Sequence, residues 1–182
     1  IRHGEIELFQ KEYKKYHPSK EEEETLLCEA IMHVKYPMVQ WLLTESKHLC
    51  HRLKKRHSFL HLASRTGNIP IMQILIQYGS PINFTDGLME TPLFPAVRYG
   101  KFEAAHWLIQ QGAKLNDRNL YDETPLHLAC EANDVEIVKL LLENGADIES
   151  GDDFDETPIM TAIRVNAFDI IETLVQHGAD LH

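Results

Sequence analysis

Several things are scarce or missing in this chain, and each shortage excludes something. Cysteine occurs only three times, as Cys28, Cys50 and Cys130, with no CxxC pair. An odd, scattered set does not make a disulfide framework; it suits a reducing compartment, and a cytoplasmic setting is expected. No apolar run approaches the ~20 residues that a membrane helix needs, so no membrane partner is expected. The first residues, Ile1-Arg2-His3-Gly4, lack the apolar stretch of a signal peptide. They also lack an initiator Met, which points to a processed or trimmed chain.

Catalytic signatures are missing too. There is no glycine-rich phosphate loop, no HExxH and no GxSxG. The densest suspicious stretch is His48-Leu49-Cys50-His51, with His57 and His61 beyond it. Imidazoles and a thiolate can bind zinc, yet this spacing matches no familiar zinc module. The stretch reads as an ordinary basic hairpin. The expectation is a non-enzyme with no metal and no small-molecule cofactor.

Net charge is −10 and unevenly placed: residues 1–57 carry 11 Lys/Arg against 9 Asp/Glu, and residues 58–182 carry 7 against 19. Phosphates would be repelled, so no nucleic-acid partner is expected. The asymmetry makes a field along the molecule that can steer a partner.

What is present is a period of 33 residues. Thr25, Ser58, Thr91, Thr124 and Thr157 fall in step, and Gly79, Gly112, Gly145 and Gly178 each follow an anchor by 21 residues. Such a period means a stacked array. In one unit, Thr124 is placed to cap a helix and Pro125 occupies its first position, where a missing N–H is harmless. Leu126, Ala129 and Cys130 share one face of that helix. Asn133 turns the chain. A second helix is predicted from Val135 to Glu143, with Val135, Val138, Leu141 and Leu142 as its apolar stripe. Gly145 ends it at positive φ, and a polar hairpin covers 147–156. Trp41 and Trp107 each stand 16 residues after an anchor, a placement that marks packing groups of the second helix. Each helix pair is too small to bury its own apolar faces, so neighbours must stack.

Thr-Pro-Leu-His-Leu-Ala at 124–129, then 135–142 and Asn144-Gly145-Ala146-Asp147, closely resembles the ankyrin repeat. The resemblance extends over nearly the whole chain: a partial or capping repeat at 1–24, then repeats one to five at 25–57, 58–90, 91–123, 124–156 and 157–182. Gly4 to Tyr16 reads as the second helix of the partial repeat. The family resemblance implies an all-α solenoid of antiparallel helix pairs with short protruding hairpins. It also implies that the histidine kept here as His61 and His127 ties adjacent loops together. Cys28, Phe94 and Met160 depart from that pattern, as does Ser46 in the glycine's place. Pro95, after Phe94, threatens a kink unless it lies within the first turn of its helix.

In such arrays the binding surface is made of hairpin tips and first helices. Leu88, Tyr121 and Phe154 recur three residues before an anchor, in line with Lys55; Arg65, Arg98, Glu131 and Arg164 recur seven after, with Tyr99 beside Arg98. Arginine and aromatic groups are typical of interface hot spots, against the alternative of a merely solvated ridge. The first hairpin, 51–57, is basic, and the last, 149–156, is acidic, an arrangement that can orient a partner. Read alone, the basic one resembles a phosphate-binding or nuclear-localisation patch, although basic loops are usually just solvated. The acidic run Glu21–Glu24 reads as a solvated loop ahead of a helix starting near Thr25.

The expected function is protein–protein recognition as adaptor, scaffold or inhibitor. Two alternatives stay open: the substrate-recruiting part of a larger enzyme, and a bacterial effector or immunity-type protein that covers an enzyme's active site. The fifth repeat still shows apolar Phe168, Ile170, Ile171, Leu174 and Val175. This suggests either a fragment of a longer chain or a last face capped by a partner.

Overall fold

A computed structural model describes residues 3–55 and 59–180. Arg56, His57 and the anchor Ser58 lie outside the described residues. The described residues hold twelve helices: α1 His3–Tyr16, α2 Lys20–Met32, α3 Tyr36–Glu45, α4 Lys47–Lys55, α5 Phe59–Thr66, α6 Ile69–Gln77, α7 Leu93–Arg98, α8 Phe102–Gln110, α9 Pro125–Glu131, α10 Val135–Glu143, α11 Pro158–Arg164 and α12 Phe168–Gln176. No strand occurs among them. First helices pack in a row (α2, α5, α7, α9, α11), and second helices form a parallel row (α3, α6, α8, α10, α12). One apolar core runs the length of the stack, from Leu27 to Leu174.

The fourth repeat shows how local sequence makes this unit. Pro125 opens α9, and Thr124 before it is extended at φ −94°, ψ 166°. The expected cap at Thr124 takes the form of a capping box with His127, the Thr124 side chain facing the His127 N–H and the ring facing back to the Thr124 N–H. The His127 Nε2–H donates to the carbonyl of Glu156 at 3.0 Å, which leaves Nδ1 as the acceptor. Nδ1 then receives the Thr124 hydroxyl at 2.8 Å and the Thr124 N–H at 3.1 Å. Where the histidine is replaced, the link fails: the hydroxyls of Thr91 and Thr157, opposite Phe94 and Met160, are buried with no partner among the described residues. Each such orphan costs about 1–3 kcal/mol.

Asn133 turns the chain at φ 54°. Asp134 then caps α10 by accepting the Ile137 N–H at 3.1 Å. The stripe expected on α10 needs correction. Ile137, Val138, Leu140 and Leu141 are fully or nearly buried, whereas Val135 and Leu142 are half-buried. An inner helix of a stack meets neighbours on both flanks, here α8 and α12, as well as its own partner α9. Its apolar surface is therefore wider than one stripe. Pro95 is the third residue of α7. Its absent N–H is one of the orphan donors of the first turn, so α7 loses no ladder bond.

The first repeat departs most from expectation. Ser19 caps α2: its hydroxyl accepts the Glu22 N–H at 3.3 Å, and the Glu22 carboxylate accepts the Ser19 N–H at 2.8 Å. The acidic run is therefore the first turn of a helix that starts before Thr25, not a loop. The physical reason is that Leu26, not proline, follows Thr25, so nothing at that point sets a helix start. The basic stretch is not a hairpin either, since α4 runs through Lys55. Ser46, in the glycine's place, keeps φ at −99°. Its hydroxyl accepts the Leu49 N–H at 3.2 Å and donates to Glu23, which starts the new helix. Ahead of this, α1 lays Phe9 and Tyr13 edge-on against Trp41 at 5.7 and 4.9 Å between ring centres. Trp107 is half-buried against the apolar core.

Two substitutions test the turn chemistry in opposite directions. Gly145 sits at φ +91° with open space where a Cβ would point. Gly145→Val meets backbone strain without a clash, and stability should fall by about 1–3 kcal/mol. Val34, exposed at φ 54°, carries that strain already in the position of Asn133. Val34→Asn should raise stability by about 1 kcal/mol. Urea midpoints that do not move in opposite directions would refute the turn assignment.

Candidate functional site

Three hairpins are built by one device. The Oδ1 of Asp86 accepts the N–H groups of Leu88 (2.8 Å) and Glu90 (3.1 Å). Asn119 does the same for Tyr121 (2.9 Å) and Glu123 (3.0 Å). Asp152 does it for Phe154 (2.8 Å) and Glu156 (2.9 Å). Each loop is closed by a backbone bond from the same residue, such as Asp152 N–H to the Glu156 carbonyl at 3.0 Å. The residue at each tip, Met89, Asp122 or Asp155, takes φ near +60°. With the backbone so committed, the side chain between these groups points outward. Leu88, Tyr121 and Phe154 are 44%, 59% and 85% exposed. Sequence reasoning missed Asp86, Asn119 and Asp152, although they recur in the same 33-residue step. At the corresponding place in the preceding repeat stands Leu53, fully buried in α4.

Neighbouring hairpins are bonded to each other. Leu120 N–H donates to the Leu88 carbonyl at 2.9 Å and Asp153 N–H to the Tyr121 carbonyl at 3.1 Å. Arg118 reaches the carbonyl of Gly151 at 2.7 Å. His61 Nε2–H donates to the Glu90 carbonyl at 2.7 Å, as His127 does to Glu156. The two histidines thus tie first helices to the loops that follow.

The ridge residues fall into two groups. Arg65 lies over the Tyr99 ring at 4.7 Å, a cation–π contact on the surface. Together with Leu88 and Arg98 they line a groove of about 350 Å³ floored by Phe59, Leu62 and Pro95. Tyr121, Glu131, Phe154 and Arg164 lie outside this groove; all four are exposed. Arg98 requires a correction. It was expected to project toward a partner, but its guanidinium clasps both oxygens of Glu90, a carboxylate at the 3%-exposed residue before the anchor. Arg164 repeats the pairing with Glu156 at 3.3 Å, in a more open setting. The glutamates standing immediately before Thr91, Thr124 and Thr157 are the signal that sequence reasoning passed over.

The suspicious His/Cys stretch is engaged in structural contacts. His48 and Arg52 both pair with Glu24, at 2.9 and 2.7 Å. The Cys50 thiol donates to the Leu43 carbonyl at 3.0 Å. Burial pushes the Cys130 thiol up to about 12, so it is no nucleophile at neutral pH. Among the described residues, no cluster of three His, Cys, Asp or Glu is placed to hold a metal. Nor is any helix there long and apolar enough to cross a membrane.

Stacked helix pairs joined by side-chain-capped hairpins define a repeat solenoid. The sequence profile described as ankyrin repeats (3 copies) matches residues 27–119 and 93–182. The chain belongs to the ankyrin repeat family, whose members generally serve as protein-interaction modules. No curated protein matches it.

Two outcomes follow from these contacts. Burial lowers the pKa of His61 and of His127, against smaller opposing effects of nearby carbonyls and carboxylates. An unfolded chain therefore takes protons first, below about pH 6.5. The histidines' contribution is complete above that value and is lost as pH falls through the lowered folded values. The urea midpoint should drop between pH 7.5 and 5.5, and the His61→Gln/His127→Gln variant should lose that part of the slope. Arg98→Ala leaves the Glu90 carboxylate buried and unpaired. It should cost about 1–3 kcal/mol, after discounting for the exposed guanidinium. Adding Glu90→Gln should restore part of that loss, whereas Arg164→Ala should change stability little.

Proposed function

We propose that this chain is a non-enzymatic recognition module that docks a protein partner across repeats two to five, on the hairpin and first-helix face. The single observation carrying this reading is the convergence of Arg65, Leu88, Arg98 and Tyr99 on one groove. The exposed hairpin row continues from it through Tyr121 and Phe154. Tyrosine supplies contact area at low entropic cost, and arginine beside it adds directional hydrogen bonds. The structural duty of Arg98 moves the directional contacts toward Arg65 and Glu131.

The module acts as adaptor, scaffold or inhibitor. A role as the recruiting part of a larger enzyme, or as a cover over another enzyme's active site, would use the same face. Three scattered cysteines, with no CxxC pair, fit a cytoplasmic, reducing setting. The direct test is titration of a captured partner against variants. Tyr99→Ala and Tyr121→Ala should each weaken binding by about 1–3 kcal/mol without unfolding the chain. Lys139→Ala, on the second-helix side, should leave affinity unchanged. Undiminished binding by the Tyr99→Ala/Tyr121→Ala double variant would place the interaction elsewhere.

A further inference from the structure

A cavity between α1 and α2 takes no part in the docking face. It has about 460 Å³ of space and is lined by Phe9, Tyr13 and Tyr16 of α1, by Leu26 of α2, and by Glu12 and Glu22. Positions 9, 12, 13 and 16 share one helix face, as do 22 and 26. The bases of the same segments, Lys11, Lys14, Lys15, His17 and Lys20, are exposed and are not among the lining residues. Helix phase turns the three lysines of α1 away from the face of Phe9 and Tyr13, and Lys20 away from that of Glu22 and Leu26. The wall is therefore aromatic and acidic. Trp41 packs against Phe9 and Tyr13 and fixes their place.

Hydrogen bonding decides which cation suits this wall. The Tyr16 hydroxyl donates to Oε1 of Glu22 at 2.9 Å, and the Ser19 N–H donates to its Oε2 at 2.8 Å. The Tyr13 and Ser46 hydroxyls donate to the two oxygens of Glu23, each at 2.5 Å. Burial first, and then Glu23 and Glu45, push the Tyr13 phenol well above its ordinary value, so it stays a donor. A phenol that donates to a carboxylate gains electron density in its ring, which strengthens the ring's attraction for a cation. Each oxygen of Glu22 and Glu23 already accepts a bond. A bare ammonium brings three N–H donors out of water and finds few acceptors here. A quaternary ammonium has no N–H to satisfy and suits ring walls beside negative charge. A choline headgroup carries a phosphate close to its nitrogen, which Glu12, Glu22, Glu23 and Glu45 would repel. A trimethylated lysine keeps its positive charge on an apolar stem with no anion attached.

We infer that this cavity binds the trimethylammonium head of a methylated lysine in a partner protein. The rings of Phe9, Tyr13 and Tyr16 meet the methyl groups, Leu26 meets the stem, and Glu12 and Glu22 balance the charge. The site is separate from the docking face across repeats two to five, and each stands or falls without the other.

The probe is a short glycine–serine peptide with one central trimethyllysine, titrated into the whole chain by calorimetry. It should bind at least tenfold more tightly than the same peptide with unmethylated lysine, and than one in which carbon replaces the ammonium nitrogen. Glu12→Gln and Tyr16→Leu should each weaken binding several-fold at an unchanged urea midpoint, while Tyr16→Phe should retain most of it. If Tyr16→Leu shifts the midpoint, Glu12→Gln, at an exposed position, decides alone. The inference is overturned if the neutral isostere or the unmethylated peptide binds as tightly as the trimethylated one, if Glu12→Gln binds like the parent, or if no peptide binds. Phosphocholine binding more tightly than the trimethylated peptide would make a lipid headgroup the source and also overturn it.

Discussion

In three successive repeats a single side-chain oxygen, Oδ1 of Asp86, Asn119 or Asp152, holds two backbone N–H groups and with them the shape of a hairpin. Such a short loop has too few backbone acceptors of its own, and a short polar side chain two and four residues back supplies one. The exposed row depends on this. Once the N–H of Leu88, Tyr121 or Phe154 and that of the second residue after it are committed, those side chains are held outward. Where the oxygen is replaced by the methyl groups of Leu53, the segment winds into α4 and buries that leucine instead.

The hairpins are in turn the means by which repeats communicate. His61 and His127 reach from a first helix to the next loop, and hairpins bond edge to edge. The ties are uneven. Phe94 and Met160 supply no such bond and leave Thr91 and Thr157 unpaired beneath them. In a stack whose stability is a sum of repeat and interface contributions, alternate interfaces are thus held differently. Between repeats two and three the contact is reinforced by the Glu90–Arg98 pair and the Arg65–Tyr99 stack. That same interface carries the groove, so packing and recognition share residues there.

Electrostatics divide the molecule along its axis. Toward the N-terminus, basic α4 is partly neutralised by α2, with Glu24 accepting from both His48 and Arg52. Toward the C-terminus Arg164 pairs with Glu156 and Arg118 with the Gly151 carbonyl at the surface, among the exposed aspartates of the tips. A partner approaching the face therefore meets a field that changes along the stack, which favours one orientation.

The 33-residue step, the Thr-Pro starts and the glycine ends were legible because they are local: a fixed φ, a missing donor or a positive φ acts within a few residues of its source. They gave α9 and α10, the turn at Asn133 and the family. The apparent first hairpin misled because its basic composition was compatible with either loop or helix. The missing Asx oxygen and missing glycine mattered more than the charge. The exposure of Leu88, Tyr121 and Phe154 was guessed from position alone; the bonds that enforce it follow from Asp86, Asn119 and Asp152, which the same period could have revealed. The role of Arg98 could not be read in this way. Whether a guanidinium faces solvent or clasps a buried carboxylate depends on where the chain before the anchor folds back. Sequence by itself determined the repeat, its helix ends and its frame of surface positions, since short-range backbone chemistry governs those. Only the tertiary structure decided which of the surface groups are free to bind and which hold the stack together, because that depends on distances between residues brought close by packing.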